Sequence, residues 1–250
     1  MKKRVLLTGS SGRIGRAVAA ELVRRGHDVR GFDLVPTPIL KDMVVGTLTD
    51  RAAIDRATAG RDTLIHLAAT PDDADFIAEI LPNNLLGVYH ILESAQQAGI
   101  RRLILASSGQ VVWYERLTAK KPIGVDTQPT PKFWYAAGKL FLEGAGRAFA
   151  EKFGLSVLAV RLGWCPRSKE QIDEIAASDW AKDVYLSPDD AGRFFADAAE
   201  SAQPDGYAVV YASSRPLVRQ YMDMEPTVRI TGYQPRQQWP EGTEIVLGGG

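Results

Sequence analysis

Short apolar runs rich in Val, Ile and Leu recur along this 250-residue chain, and none of them has a polar face. They read as strands at residues 4–8, 29–33, 43–46, 62–69, 102–107, 155–162 and 207–212. Between them lie stretches with helical spacing of apolar residues: 13–25, where Ile14, Ala17, Val18 and Leu22 share one face, then 50–59, 84–98 and 134–153. Gly26, Gly99 and Gly154 stand where helices end. A strand with two apolar faces has to be covered on both sides, and repetition of strand, helix, strand makes neighbouring strands parallel. The pattern predicts an α/β fold, a doubly wound parallel sheet of about seven strands. Ser187-Pro188-Asp189-Asp190 marks a further helix start, with a serine cap, proline in the first turn and acids on the helix dipole. The stretches 109–132, 163–186 and the Pro- and Gly-rich tail from 213 read as irregular. The chain reads as one domain, 1–250, with a sheet core at 1–162 plus 207–212 and a small irregular C-terminal substrate cap made of 163–206 and 213–250.

The first strand runs into TGSSGRIG at residues 8–15, which places Gly9, Gly12 and Gly15 between a strand and a helix. Gly9 permits a sharp turn off the strand, Gly12 permits backbone to approach a pyrophosphate, and Gly15 permits close packing of helix on sheet. The helix N-terminus then offers free N–H groups and the positive end of its dipole to phosphates. Asp33 closes the second strand, where a carboxylate accepts both ribose hydroxyls of an adenosine and repels a 2′-phosphate. That favours NAD over NADP, with Arg13 and Arg30 near enough to leave some NADP use open. Tyr135 and Lys139, in YAAGK, lie one helical turn apart and share a face. A free tyrosine has a pKa near 10, and lowering it by about three units takes about 4 kcal/mol of preferential phenolate stabilisation. The lysine ammonium and a positive nicotinamide ring are suited to supply that field.

Composition narrows the field of partners. Lys plus Arg number 30 and Asp plus Glu number 30, so no basic excess points to nucleic acid. The single cysteine, Cys165, forms no internal disulfide, and the three histidines, His27, His66 and His90, are scattered, so no metal site is expected. The Met-Lys-Lys-Arg start has only Val5-Leu6-Leu7 behind it, too short for a secretory h-region, and no run of about 20 apolar residues predicts a membrane span. A cytoplasmic location is expected.

TGSSGRIG, Asp33, HLAA at 66–69, Asn84-Leu85-Leu86-Gly87, ASSGQVV at 106–112 and YAAGK at 135–139 come in the order and spacing of the short-chain dehydrogenase/reductase superfamily. The chain resembles its extended, epimerase-like branch, which implies a Rossmann-type sheet. Within that branch it most resembles the uronate dehydrogenases. The stretch after Lys139 is short, RLGWC at 161–165 looks like that family's R-x-G-x-C strand end, and YLSPDD at 185–190, GYAVVYASS at 206–214 and GYQP at 232–235 echo its C-terminal half. The resemblance implies that Ser108, with Ser107 as the near alternative, holds the reacting hydroxyl. It implies that Tyr135 is the base and that Lys139 binds the nicotinamide ribose and tunes Tyr135. Gly9, Ser11, Gly12, Arg13, Ile14, Gly15, Asp33, Leu48, Leu67, Ala68, Ala69 and Asn84 are the further expected NAD-binding residues, with Leu48 near the adenine and Asn84 stabilising the active-site backbone.

Expected substrate contacts are Thr70, Gly109, Gln110, Trp164, Arg167, Trp180 and Lys182. Gly109-Gln110 replaces the usual Asn-His, and Trp180 or Lys182 stands where uronate dehydrogenases carry an arginine for the sugar carboxylate. Arg167, Lys169 and Lys182 are the candidate substitutes. Trp113, Trp134 and Trp164 suggest a sugar-sized aromatic site. The expected reaction is hydride transfer to NAD from a sugar or sugar acid, uronate-like, with oxidation at C1 to a lactone. The alternatives are a nucleotide-sugar epimerase or dehydratase with tightly held NAD, and a non-catalytic dinucleotide-binding regulator. The helices at 84–98 and 134–153 are expected to form a homodimer contact; neither nucleic acid nor a membrane is an expected partner.

Overall fold

Strand β1 (Arg4–Thr8) shows why the sheet is covered twice. Val5 and Leu7 face one hydrophobic cluster and Leu6, between them, faces another. The computed structural model describes residues 2–202 and 206–244, the side chains of 116 and 117 excepted; residues 203–205 and 245–250, which fall in the expected cap, lie outside the described residues, as does residue 1. Among the described residues the strands β1, β2 (Asp28–Asp33), β3 (Asp42–Val45), β4 (Thr63–His66), β5 (Arg102–Ser108), β6 (Ser156–Leu162) and β7 (Gly206–Ala212) form one sheet in the order β3-β2-β1-β4-β5-β6-β7, with every pairing parallel. The order reverses between β1 and β4, which opens a crevice at the carboxyl ends of those strands, the usual ligand position in such sheets.

Helix α1 (Arg13–Arg24) lays Val18, Ala19 and Leu22 on the Val5–Leu7 face. Helices α2 (Arg51–Thr58), α3 (Gly87–Gln97) and α4 (Trp134–Phe153) cover the other face through Ile54, Ile91 and Leu142. Chain 76–97 is helical for longer than the expected 84–98, because a π-helical stretch, Phe76–Leu86, leads into α3 and contains Pro82. Proline lacks the N–H that regular α-helix needs, and π geometry absorbs the defect. The stretch 109–132 begins with 3₁₀ turns at Gly109–Leu117, and 163–186 contains α5 (Lys169–Ala176) and α6 (Asp179–Asp183), capped by Ser168 and Ser178.

One part of the expected cap is core instead. Helix α7 (Pro188–Glu200) packs Phe194 and Phe195 beneath the sheet beside α1, and α8 (Glu225–Thr231) packs on α7 and β7. The reason is compositional: α7 presents Ala191, Phe194, Phe195, Ala198 and Ala199 on one buried face, a stripe that needs a sheet to cover it. The segments YLSPDD, ASS and GYQP meet around the fully buried Asp190. Its carboxylate accepts Ser214 Oγ at 2.7 Å and the Arg236 and Gln237 N–H groups at 3.0 Å, and it is paired with Arg193. The C-terminal segment is thereby fastened to the core, and α5 and α6 are left near the crevice.

Candidate active site

The crevice is a continuous cleft of about 1290 Å³, larger than the roughly 300–1,000 Å³ that one small molecule ordinarily fills. Gly9, Ser11, Gly12, Arg13, Ile14 and Gly15 line one end. Gly9 has φ +70°, and a Cβ there would meet Ala68 N at 2.7 Å. A Cβ on Gly15 would stand 1.9 Å from the Gly9 carbonyl oxygen, so only glycine lets the helix start press on the turn. Helix α1 begins at Gly12 with no capping side chain and no acid in its first turn. A helix start left in that state is a cradle for an anion.

Asp33 lies beside this cradle at the end of β2. Its Oδ2 accepts the Ser11 N–H at 2.9 Å and its Oδ1 accepts the Leu34 N–H at 2.7 Å, which fixes the carboxylate at the cleft wall. Leu48, Leu67, Ala68 and Ala69 line the same trough. These residues fit a dinucleotide: glycines and helix N–H groups for the pyrophosphate, a carboxylate for a ribose and apolar walls for rings. Arg30, considered for a 2′-phosphate, is committed to Asp42 at 2.9 Å and to the carbonyls of Arg56, Ala57 and Ala59. Arg13 donates to the Gly242 carbonyl at 3.0 Å. We therefore expect kcat/KM with NAD to exceed that with NADP by about tenfold or more, or about 1.4 kcal/mol. Equal efficiencies would show that Asp33 does not meet the ribose.

Ser108, Tyr135 and Lys139 come together at the carboxyl end of β5. Ser108 lies beside Tyr135, and its hydroxyl favours the phenolate form. Ser107, its neighbour, donates instead to Glu143 Oε1 at 2.6 Å, and Glu143 is held by Arg161 at 2.9 and 3.0 Å. That buried network ties β5, α4 and β6 together behind the site. Lys139 donates to the Ala106 carbonyl at 2.7 Å, with its Nζ 5.5 Å from the Tyr135 ring centroid. Burial pushes the Lys139 pKa down to about 8, so the ammonium is mostly charged at neutral pH. Burial, assisted by the Asp72 charge, pushes Tyr135 up to about 12, while Arg167 and the Ser108 hydroxyl oppose the rise.

Thr70, Gly109, Gln110, Trp164, Arg167 and Trp180 line the far end, along with Trp113, Phe133, Tyr221 and Met222. Three expectations take another form. Asn84 is buried behind the cleft wall rather than on it; it accepts the Thr70 N–H at 2.8 Å and donates to the Thr70 carbonyl at 2.9 Å, while Asn83 reaches the Thr70 hydroxyl at 2.8 Å. Lys182 is off the cleft wall and pairs with Asp179 at 3.0 Å, one turn away on α6. Trp134 is exposed on the outer side and packs on Phe76 with ring centroids 5.0 Å apart. The sequence reading missed Asp72 and Gln171, both on the cleft wall. Arg167 is paired with Asp72, and Gln171 Nε2 donates to the same carboxylate at 3.1 Å. Lys169 pairs with Asp173 at 2.7 Å, so each of the three candidate cations already holds an acid. Asp72 follows Pro71 inside the run PDDAD, where spacing alone does not separate it from solvated acids.

Residues 5–164 match the model of the NAD dependent epimerase/dehydratase family. The chain belongs to that family. Among curated proteins it is 31% identical to the L-arabinose 1-dehydrogenase (NAD(P)(+)) of Haloferax volcanii, over 93% of this chain and 96% of that protein. It is 29% identical to the uronate dehydrogenase of Pseudomonas syringae pv. tomato, over 84% of this chain and 74% of that protein. Among solved structures, glucuronic acid dehydrogenase from Chromohalobacter salexigens superposes with a TM-score of 0.80 at 26% identity, covering 95% of this chain and 86% of that one. This epimerase/dehydratase-family chain is an NAD-dependent oxidoreductase with a Rossmann-type fold.

His66, under the site, carries a pH dependence of its own. Thr8 Oγ1 accepts the Leu67 and Ala68 N–H groups at 3.2 and 3.3 Å, so its own proton goes to His66 Nδ1, 2.8 Å away. Burial, reinforced by the Lys139 charge, pushes the His66 pKa down to about 3. An unfolded chain takes a proton on this histidine near pH 6.5 that the folded chain refuses until about pH 3. The stability contribution is therefore complete above about 6.5 and is lost as pH falls towards 3. Melting temperature is expected to drop more steeply from pH 7 to about 4.5 in the native protein than in His66→Gln. Parallel curves would place the acid sensitivity elsewhere.

Proposed function

We propose that the protein oxidises a cyclic sugar at C1 to the lactone, with NAD as hydride acceptor. The observation that carries this reading is the Ser108–Tyr135–Lys139 set, placed where the dinucleotide trough meets an aromatic end chamber walled by Trp113, Phe133 and Trp180. NAD, held by the 9–15 turn and Asp33, supplies the two-electron acceptor when bound. Ser108 donates to the sugar hydroxyl oxygen and holds it against Tyr135. Tyr135, as phenolate, takes the hydroxyl proton. The Lys139 ammonium lowers the energy of that phenolate, and the Ala106 carbonyl keeps the ammonium in position. Asn84 and Asn83 act through Thr70, holding the loop that borders the sugar. Relatives named L-arabinose 1-dehydrogenase and uronate dehydrogenase support a small sugar or sugar acid as substrate.

A homodimer in the cytoplasm goes with this reading. Ile77, Leu81, Leu86, Tyr89 and Phe141 are exposed on the π-helical stretch, α3 and α4, which pack on one another and offer an apolar face to a second copy. The C1 assignment is tested with a panel of reducing aldoses and their methyl glycosides. Reducing sugars are expected to yield NADH; their methyl glycosides, which lack the C1 hydroxyl, are expected to yield none. NADH formation from a methyl glycoside would move the chemistry to another carbon.

A further inference from the structure

The only arginine at the sugar end of the described cleft wall already faces an acid. Arg167 is paired with Asp72, and Gln171 donates its side-chain amide to the same carboxylate at 3.1 Å while accepting the Arg167 N–H at 2.8 Å. The two halves come from opposite sides of the site: Asp72 from the loop after β4, Arg167 from the segment after β6. Asp72 holds φ +60°, a left-handed conformation that Asp and Asn tolerate far better than most side chains. Other acids share the wall with it, namely Asp73, Glu79 and Glu174. Lys139 is turned to the Ala106 carbonyl, and Lys132 lies over the Trp113 and Phe133 rings, its Nζ 5.5 and 4.8 Å from their centroids.

We propose that Asp72 determines the substrate class: by occupying the Arg167 guanidinium, it selects aldoses without a carboxylate over uronates. This rests on the C1-oxidation reading above. A uronate has to share Arg167 with Asp72, because one Nη of the guanidinium already serves that carboxylate. The Asp72 carboxylate then stands next to the substrate's carboxylate, in a wall already rich in acids, and like charges in a cleft that loses water repel strongly. A neutral sugar meets no such conflict. Its hydroxyls donate to the Asp72 carboxylate and accept from Arg167 or Gln171 while the pair stays closed. Trp113 and Trp180, with ring centroids 6.2 Å apart, offer apolar faces to its C–H groups. Both charges of the pair also act on Tyr135, in opposite directions, so the same residues bear on the base and on the choice of sugar.

The test uses D-galactose and D-galacturonate, which differ only in the oxidation state of the last carbon. The native protein is expected to show the higher kcat/KM with galactose. Asp72→Asn keeps the left-handed backbone and removes the charge. It is expected to raise the galacturonate-to-galactose ratio of kcat/KM by about tenfold or more, mainly through a lower KM for galacturonate. Arg167→Met added to Asp72→Asn is expected to abolish that gain, which a change in folding alone does not predict. A native protein that prefers galacturonate overturns the proposal. So does an unchanged ratio in Asp72→Asn, or a raised ratio that survives Arg167→Met, while galactose is still oxidised. Absence of oxidation of every sugar by the native protein overturns the C1 reading itself, and the role of Asp72 with it.

Discussion

Tyr135→Phe is expected to reduce turnover by about 10²- to 10⁴-fold, the usual worth of a positioned general base, and to leave NADH affinity nearly unchanged. The substitution keeps the ring 5.5 Å from Lys139 Nζ and removes only the proton acceptor. Ser108 and Lys139 remain, but neither replaces the lost base: Ser108 has no low pKa, and Lys139 points its proton at the Ala106 carbonyl. The residual rate should also lose most of its rise with pH. In the native protein oxidation speeds up as pH rises towards about 8, because Tyr135 is held above its ordinary pKa by burial and Asp72 and more base is present at higher pH; above about 8 loss of the Lys139 charge works against the rise. Stopped-flow formation of NADH across pH separates these effects from product release. Native-like turnover by Tyr135→Phe would remove Tyr135 from the chemistry.

Gly15→Ala carries the largest expected effect on cofactor binding. The added Cβ would sit 1.9 Å from the Gly9 carbonyl oxygen and 2.8 Å from Gly9 C and Ser10 Cα. All three are backbone or backbone-anchored atoms that cannot swing aside, so the turn has to open. Opening it moves the N–H groups that would face the pyrophosphate, and charge-assisted hydrogen bonds of about 1.5–3 kcal/mol each are lost together. NADH affinity is expected to fall by about 100-fold or more, read by fluorescence titration. Overpacking is expected to lower stability by about 1–3 kcal/mol. An alanine variant that binds NADH within a few-fold of the native protein would mean that this turn does not hold the phosphates.

Features governed by local chemistry were legible in the sequence. Strand β1, the glycine turn and α1 follow from hydrophobic period and backbone sterics, and the sheet has the seven parallel strands that the alternation predicts. Tyr135 and Lys139 were paired by helical spacing, and the family match supports the cofactor. Other features depend on distant partners. Pro82 reads as a break, yet a π-helical stretch carries the chain through it. Helices α5 and α6 span 8 and 5 residues, too few for a clear period. Helix α7 showed a correct start at Ser187, but its place beneath the sheet depends on α1, which lies far away in sequence. Arg167 was named for its charge, whereas its meeting with Asp72 across nearly a hundred positions is a product of the fold.

The central claim is that hydride leaves C1 of a sugar for NAD. It is tested most directly by incubating the protein with NAD and aldoses deuterated at C1, with both products followed by NMR. The predicted result is deuterium on the reduced nicotinamide ring and an equal amount of unlabelled lactone. Reduced nicotinamide without deuterium, or an epimerised sugar with no net NADH, would contradict it.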